Sequence, residues 1–141
     1  MASWTDENNF ERARLFRLLD GLEEAALQKK LPNGWSIADV LAHLAFWDRY
    51  ALVALRQWQR EGFQMPHENW AVINEIVDSM SRLIPPQALL AWVRDSASLC
   101  DQCVEETPAA LAQELKTAGK SNFLFRAEHR RHHLNQIEGL L

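Results

Sequence analysis

Apolar residues recur at every third or fourth position along most of this chain, which is the spacing of amphipathic helices, and no stretch alternates as a strand would. Over residues 5–29, Phe10, Ala13, Phe16, Leu19 (or Leu18), Leu22 and Ala26 make one stripe. Ser3 or Thr5 can cap that helix, acidic residues fill its first turn, and Leu31-Pro32-Asn33-Gly34 stops it with turn residues. A second helix is expected over 36–60, with Ser36 as its cap and Asp39 at the capping-box position. Trp35 and Val40 flank that cap as a hydrophobic staple, and Val40, Leu44, Trp47, Ala51, Leu55 and Trp58 form the stripe that follows. A shorter helix over 68–82 follows Pro66, and Pro85-Pro86 then breaks the chain. The pattern resumes over 86–106 with proline in the first turn, stops at Thr107-Pro108, and continues through a loop to Ser121, the expected cap of a last helix over 122–139. Long amphipathic helices with short connections predict an all-α fold: an antiparallel four-helix bundle with one additional short helix between the second and third long helices.

Composition narrows the class without changing that picture. A chain of 141 residues, 48% hydrophobic, with five glycines and five prolines, is expected to fold as a single domain, 1–141. A net charge of −4 argues against a nucleic-acid partner, since the one basic cluster, Arg126, Arg130 and Arg131, is interrupted by Glu128. The charged N-terminal stretch does not read as a signal peptide, and no run approaches a membrane span. The expectation is a soluble, cytoplasmic protein with no membrane partner. Cys100 and Cys103 do not make a secreted disulfide framework.

The chemistry lies in the histidines. Of five, three fall in Glu128-His129-Arg130-Arg131-His132-His133. Residues four apart on a helix point within ~40° of each other, so His129 and His133 can converge on one ion. Measured against the face of Leu134, Ile137, Leu140 and Leu141, His133 lies about 50° and His129 about 90° from the centre, while His132 at about 150° points to solvent. His43, about 70° from the centre of the stripe on the second helix, is the candidate third ligand. Asp39, one turn earlier, is placed to orient its free ring nitrogen. Three neutral imidazoles with an open position form a coordination set of catalytic type. Arg130 falls near the centre of the inward face, a placement the wheel alone does not explain.

These residues carry a family resemblance. The stretch from Gly34 to Asp48, with Trp35-Ser36 opening a helix and His43 seven residues after the serine, resembles the first signature of the DinB-like superfamily. His129-x-x-x-His133 followed by Gln136-Ile137 resembles its last-helix signature. Asn69–Glu75 and Pro86–Leu90 resemble the subgroup that includes the colibactin self-resistance protein. The resemblance covers nearly the whole chain. It implies a four-helix bundle whose metal ligands are His43, His129 and His133, binding a divalent ion (nickel, zinc, iron or manganese). It also implies hydrolase-type chemistry, or S-transferase chemistry with a low-molecular-weight thiol, on a small-molecule substrate. Where the family motif often has an aromatic, this chain has Arg130, which suggests an anion contact at the pocket mouth.

Other features read more plainly. Cys100-Asp101-Gln102-Cys103 sits mid-helix, away from the helix start that activates a redox thiol, so both cysteines are expected to pack in the core. Trp47, one turn after His43, is a candidate pocket wall. Asp48 and Glu128 beside the motif histidines read as exposed helix-surface carboxylates, and His67 as a loop residue. Three functions compete: a metal-dependent enzyme, a non-catalytic metal-binding or stress-response module, and a helical DNA-binding protein, the last opposed by net charge. An apolar helix face left over from the bundle would suit a homodimer.

Overall fold

A computed structural model of the chain describes residues 3–141 and is all-α, with no strand among those residues. Among the described residues six helices occur: α1 (Trp4–Asp20), α2 (Ile37–Glu61), α3 (Trp70–Ser81), α4 (Pro86–Glu106), α5 (Ala109–Thr117) and α6 (Ala127–Leu140). Short 3-10 turns cover Glu24–Gln28 and Ser121–Phe123. Among the described residues no helix is long and apolar enough to cross a membrane.

The cap chemistry explains the starts. Ser3 and Asp6 close a capping box on α1, and Ser36 and Asp39 close one on α2, each satisfying amides that the first turn would otherwise leave unpaired. On either side of the turn before α2, the Leu31 N–H donates to the Trp35 carbonyl at 2.7 Å and the Ile37 N–H to the Lys29 carbonyl at 3.0 Å. That clamp fixes where α2 begins, and so where His43 lies.

Three boundaries differ from the expected ones. The first helix ends at Asp20, because Gly21 caps it and the chain then tightens into a 3-10 turn. The segment expected as a loop after Pro108 forms α5, whose Leu111 and Leu115 are buried on one face. Its end is a Schellman motif: the Lys120 N–H reaches the Leu115 carbonyl at 2.8 Å and the Gly119 N–H the Lys116 carbonyl at 3.1 Å. Gly119 has φ 73°, a left-handed conformation that glycine adopts without penalty. The last helix starts at Ala127 because Ser121–Phe123 tightens into a 3-10 turn first.

The helices pack with α2 lying most extensively on α4, and α1 on α6 and α4. Two apolar groups form. One joins Leu15, Leu19, Val40, Leu41, Leu89, Val93, Leu134 and Ile137. The other joins Leu52, Leu55, Trp58, Cys100, Val104, Leu115 and Phe123. Along α2 the first group ends at Ala45 and the second begins at Ala51, with Asp48 between them. Here the wheel of α1 needs correction. Its buried face is Asn8, Glu11, Leu15 and Leu19, while Phe10 is 64% exposed. Polar residues occupy the inward positions because a charged layer crosses the core at this level.

Arg130 is the centre of that layer and is fully buried. Its two terminal nitrogens donate to Asp101 at 2.7 and 2.8 Å, its Nε to Asp48 at 3.2 Å, and further contacts reach the carbonyls of Asn8 (3.2 Å) and Ala97 (3.5 Å). All five N–H groups of the guanidinium thus have an acceptor. Arg130 therefore contributes no anion contact at a pocket mouth, and Asp48 is not an exposed helix-surface carboxylate. Burial pulls the pKa of Arg130 down, the charges of Asp48 and Asp101 push it up, and the net displacement is upward.

Candidate metal centre

The clamp before α2 and its capping box set the register that turns His43 inward, where it is buried. The ring of Trp35 stands edge-on to it at 5.1 Å. From the opposite side α6 supplies His129 and His133, one turn apart. The three imidazole centroids are mutually 4.8–5.0 Å apart. One ring nitrogen from each lies within 4.8 Å of the other two. His132 is exposed and outside this group, as its wheel position indicates, and so is His67.

Hydrogen-bond partners assign the ring protons. His133 Nδ1 lies 2.8 Å from the Gln136 side-chain oxygen, which only accepts, so Nδ1 carries the proton and Nε2 keeps its lone pair. Arg126 Nη2 lies 3.5 Å from His129 Nδ1, and a guanidinium only donates, so the proton of His129 sits on Nε2. That nitrogen faces His43 Nε2 at 3.1 Å and donates to it. His43 must then be protonated at Nδ1, which is buried with no partner. Two nitrogens bound to one ion at ~2.0–2.1 Å are on the order of 3–3.4 Å apart. The 3.1 Å between His43 and His129 matches that spacing; for His129 to ligate through Nε2 as a neutral ring its proton would sit on Nδ1, and the 3.5 Å contact from Arg126 would give way.

The electrostatics suit lone-pair donation. Burial, then the His133 charge, lowers the pKa of His43 to about 4. Burial, then the Arg126 guanidinium, lowers that of His129 to about 2. Burial also lowers that of His133. All three rings are neutral at neutral pH, as nitrogen ligation requires.

His43 and His129 open onto a cavity of about 590 Å³. Its walls come from α2 (Trp47, Tyr50, Ala51), from Glu68 and the start of α3 (Trp70, Asn74), from the stretch between Gly119 and Arg126, and from Glu128 and His132. Trp47, read from sequence as a candidate wall, lines it, with its indole N–H held by the Asn74 carbonyl oxygen at 2.8 Å. Asp39 does not orient His43. Its carboxylate accepts from the Ser36 N–H at 3.0 Å and from the Ser81 hydroxyl at 3.4 Å, so the cap and α3 use both oxygens.

Sequence reasoning missed Gln136 and Arg126 as the residues that set the tautomers. Gln136, three residues after His133 on the same helix, carried a readable signal. Arg126 did not, because it precedes α6 and reaches the site by its anchorage on Asp48 Oδ1 at 3.0 Å. Glu68, Tyr50 and Asn74 were missed as well, since they come from elements whose packing no local pattern encodes.

A family model described as the DinB superfamily matches residues 8–137, which is nearly the whole chain and includes all three histidines. No curated protein and no solved structure gives a match.

Proposed function

The chain belongs to the DinB superfamily, and on that premise we propose that it is a metal-dependent enzyme whose His43, His129 and His133 hold one divalent ion. The observation that carries this reading is the convergence of three neutral imidazoles, two of them with facing nitrogens at 3.1 Å, at the wall of a cavity large enough for a small molecule. A divalent ion there supplies Lewis acidity, which activates water for hydrolysis or a low-molecular-weight thiol for S-transfer. This chain's residues do the rest. Gln136 holds the ring of His133, and Trp35 packs the edge of His43. Trp47 and the other aromatic walls reduce the water around a bound substrate. Nickel, zinc, iron and manganese are all compatible with a three-nitrogen set, and availability selects among them.

One observation supports a second reading, a non-catalytic metal-binding or stress-resistance module. Among the described residues no carboxylate hydrogen-bonds to any of the three imidazoles, and the nearby Asp48 is held by two arginines.

Elemental analysis of the purified chain, with His129→Ala and His132→Ala beside it, tests the site. The expected result is about one ion per chain in the wild type and in His132→Ala, with at least ~10-fold weaker retention in His129→Ala. Equal metal in all three proteins removes the assignment. Full metal loading with no turnover across hydrolase and thiol-transfer substrates selects the binding module.

A further inference from the structure

The cavity wall away from the histidines has a chemistry of its own. Trp47 is the hub of an aromatic cluster, with Tyr50 at 5.1 Å and Trp70 at 6.1 Å between ring centroids, and Phe123 lies 6.1 Å beyond Tyr50. Glu68 enters this cluster from the segment before α3. Its Oε1 accepts the indole N–H of Trp70 at 2.7 Å, and its Oε2 is buried. Burial, then the negative charge of Glu68 and a hydrogen bond to it, pushes the pKa of the Tyr50 hydroxyl upward, so the phenol stays a neutral donor beside the carboxylate. Trp70 and Tyr50 offer this carboxylate only neutral donors, so its negative charge is not offset by a cation of its own. Aromatic faces beside it attract a cation and give an anion nothing.

Positive groups also reach the cavity, but Arg126 is committed. Its Nε donates to Asp48 at 3.0 Å and its Nη1 to the Asn122 carbonyl at 2.9 Å. Lys120 lines the cavity as well, as does Glu128 of opposite charge. The carboxylate of Glu68 is the lining charge that stands among aromatic rings.

We propose that the cavity takes an organic ammonium compound, a small amine with an apolar or aromatic body, whose cationic group is held by Glu68 against the rings of Trp47, Tyr50 and Trp70. As a statement about the substrate it rests on the enzymatic reading above. As a statement about binding it stands alone. Because Glu68 precedes α3 and the histidines come from α2 and α6, the ammonium end and the reacting end of such a ligand engage different elements.

Calorimetric titration with benzylamine, benzyl alcohol and benzoate compares a cation, a neutral analogue and an anion of similar shape. It is run at neutral pH on chelator-treated protein, with metal retention measured in parallel on untreated samples of the same preparations. The expected result is benzylamine binding at least ~10-fold tighter than either of the others. In Glu68→Gln that preference should fall to about threefold or less, with metal retention unchanged, whereas Lys120→Gln should keep it. Equal affinity for the three compounds, a preference for benzoate, or a benzylamine preference that survives in Glu68→Gln overturns the proposal. Should Glu68→Gln lose its helical circular dichroism, the wild-type ranking and the Lys120→Gln titration decide alone. The two readings fail separately: loss of the ranking in protein that retains metal removes this proposal, and absence of metal in protein that keeps the ranking removes the metal site.

Discussion

Arg130 shows what one residue does in this core. Deep burial of a guanidinium is tolerable only because two carboxylates and two carbonyls use all of its donors. Removing it leaves Asp48 and Asp101 facing each other across an apolar interior, with Asp101 still holding Arg12 at 2.6 Å. Arg130→Leu is therefore expected to destabilise the fold by about 3–5 kcal/mol in urea denaturation. A loss below about 1 kcal/mol would mean that the layer is hydrated and not a true interior. Asp48 also joins this layer to the histidine cluster, since its second oxygen holds Arg126, which sets the tautomer of His129.

At the scale of the element, α2 matters most, because its start determines the register of His43, Trp47 and Asp48 together. Its capping box satisfies the Asp39 and Ser36 amides reciprocally, at 3.0 Å each. Ser36→Ala is expected to lower stability by about 1 kcal/mol, and Ser36→Asn to restore most of it, as read by thermal denaturation. If alanine is neutral there, the backbone clamp through Leu31 and Ile37 carries the register alone. The segment α5 acts differently. It covers the second apolar group with Leu111 and Leu115 and hands the chain, through Gly119, to the cavity wall.

For the whole molecule, the histidine cluster links stability to pH. In metal-free protein the pKa values of about 4 for His43 and about 2 for His129 lie below the unfolded value. The unfolded chain thus binds more protons once the pH drops under ~6.5, and each buried ring costs on the order of 2 kcal/mol of stability by pH 5. The contribution is complete above ~6.5 and, for His43, is lost as the pH falls through about 4. Chelator-treated protein should show a falling Tm between pH 7 and 5, and His43→Gln a flatter profile. A Tm independent of pH over that range would place the rings in solvent.

The sequence by itself determined the helical class, the positions of α2, α3 and α4 to within two residues, and the choice of His129 and His133 over His132. Those features rest on local physics, namely apolar periodicity, caps, breakers and the direction of side chains around one helix. The family match followed from motifs of the same local kind. Tertiary structure alone decided the rest. A hydrophobic wheel cannot rank Asn8, Glu11, Asp48 and Arg130 as interior, because each is buried only by virtue of partners on other helices. Nor could it show that the cap and Ser81 consume Asp39, that Arg126 and Gln136 set the ring protons, or that Glu68 stands among Trp47, Tyr50 and Trp70. Polar burial is a property of pairs, and pairing across helices is settled only when the helices pack.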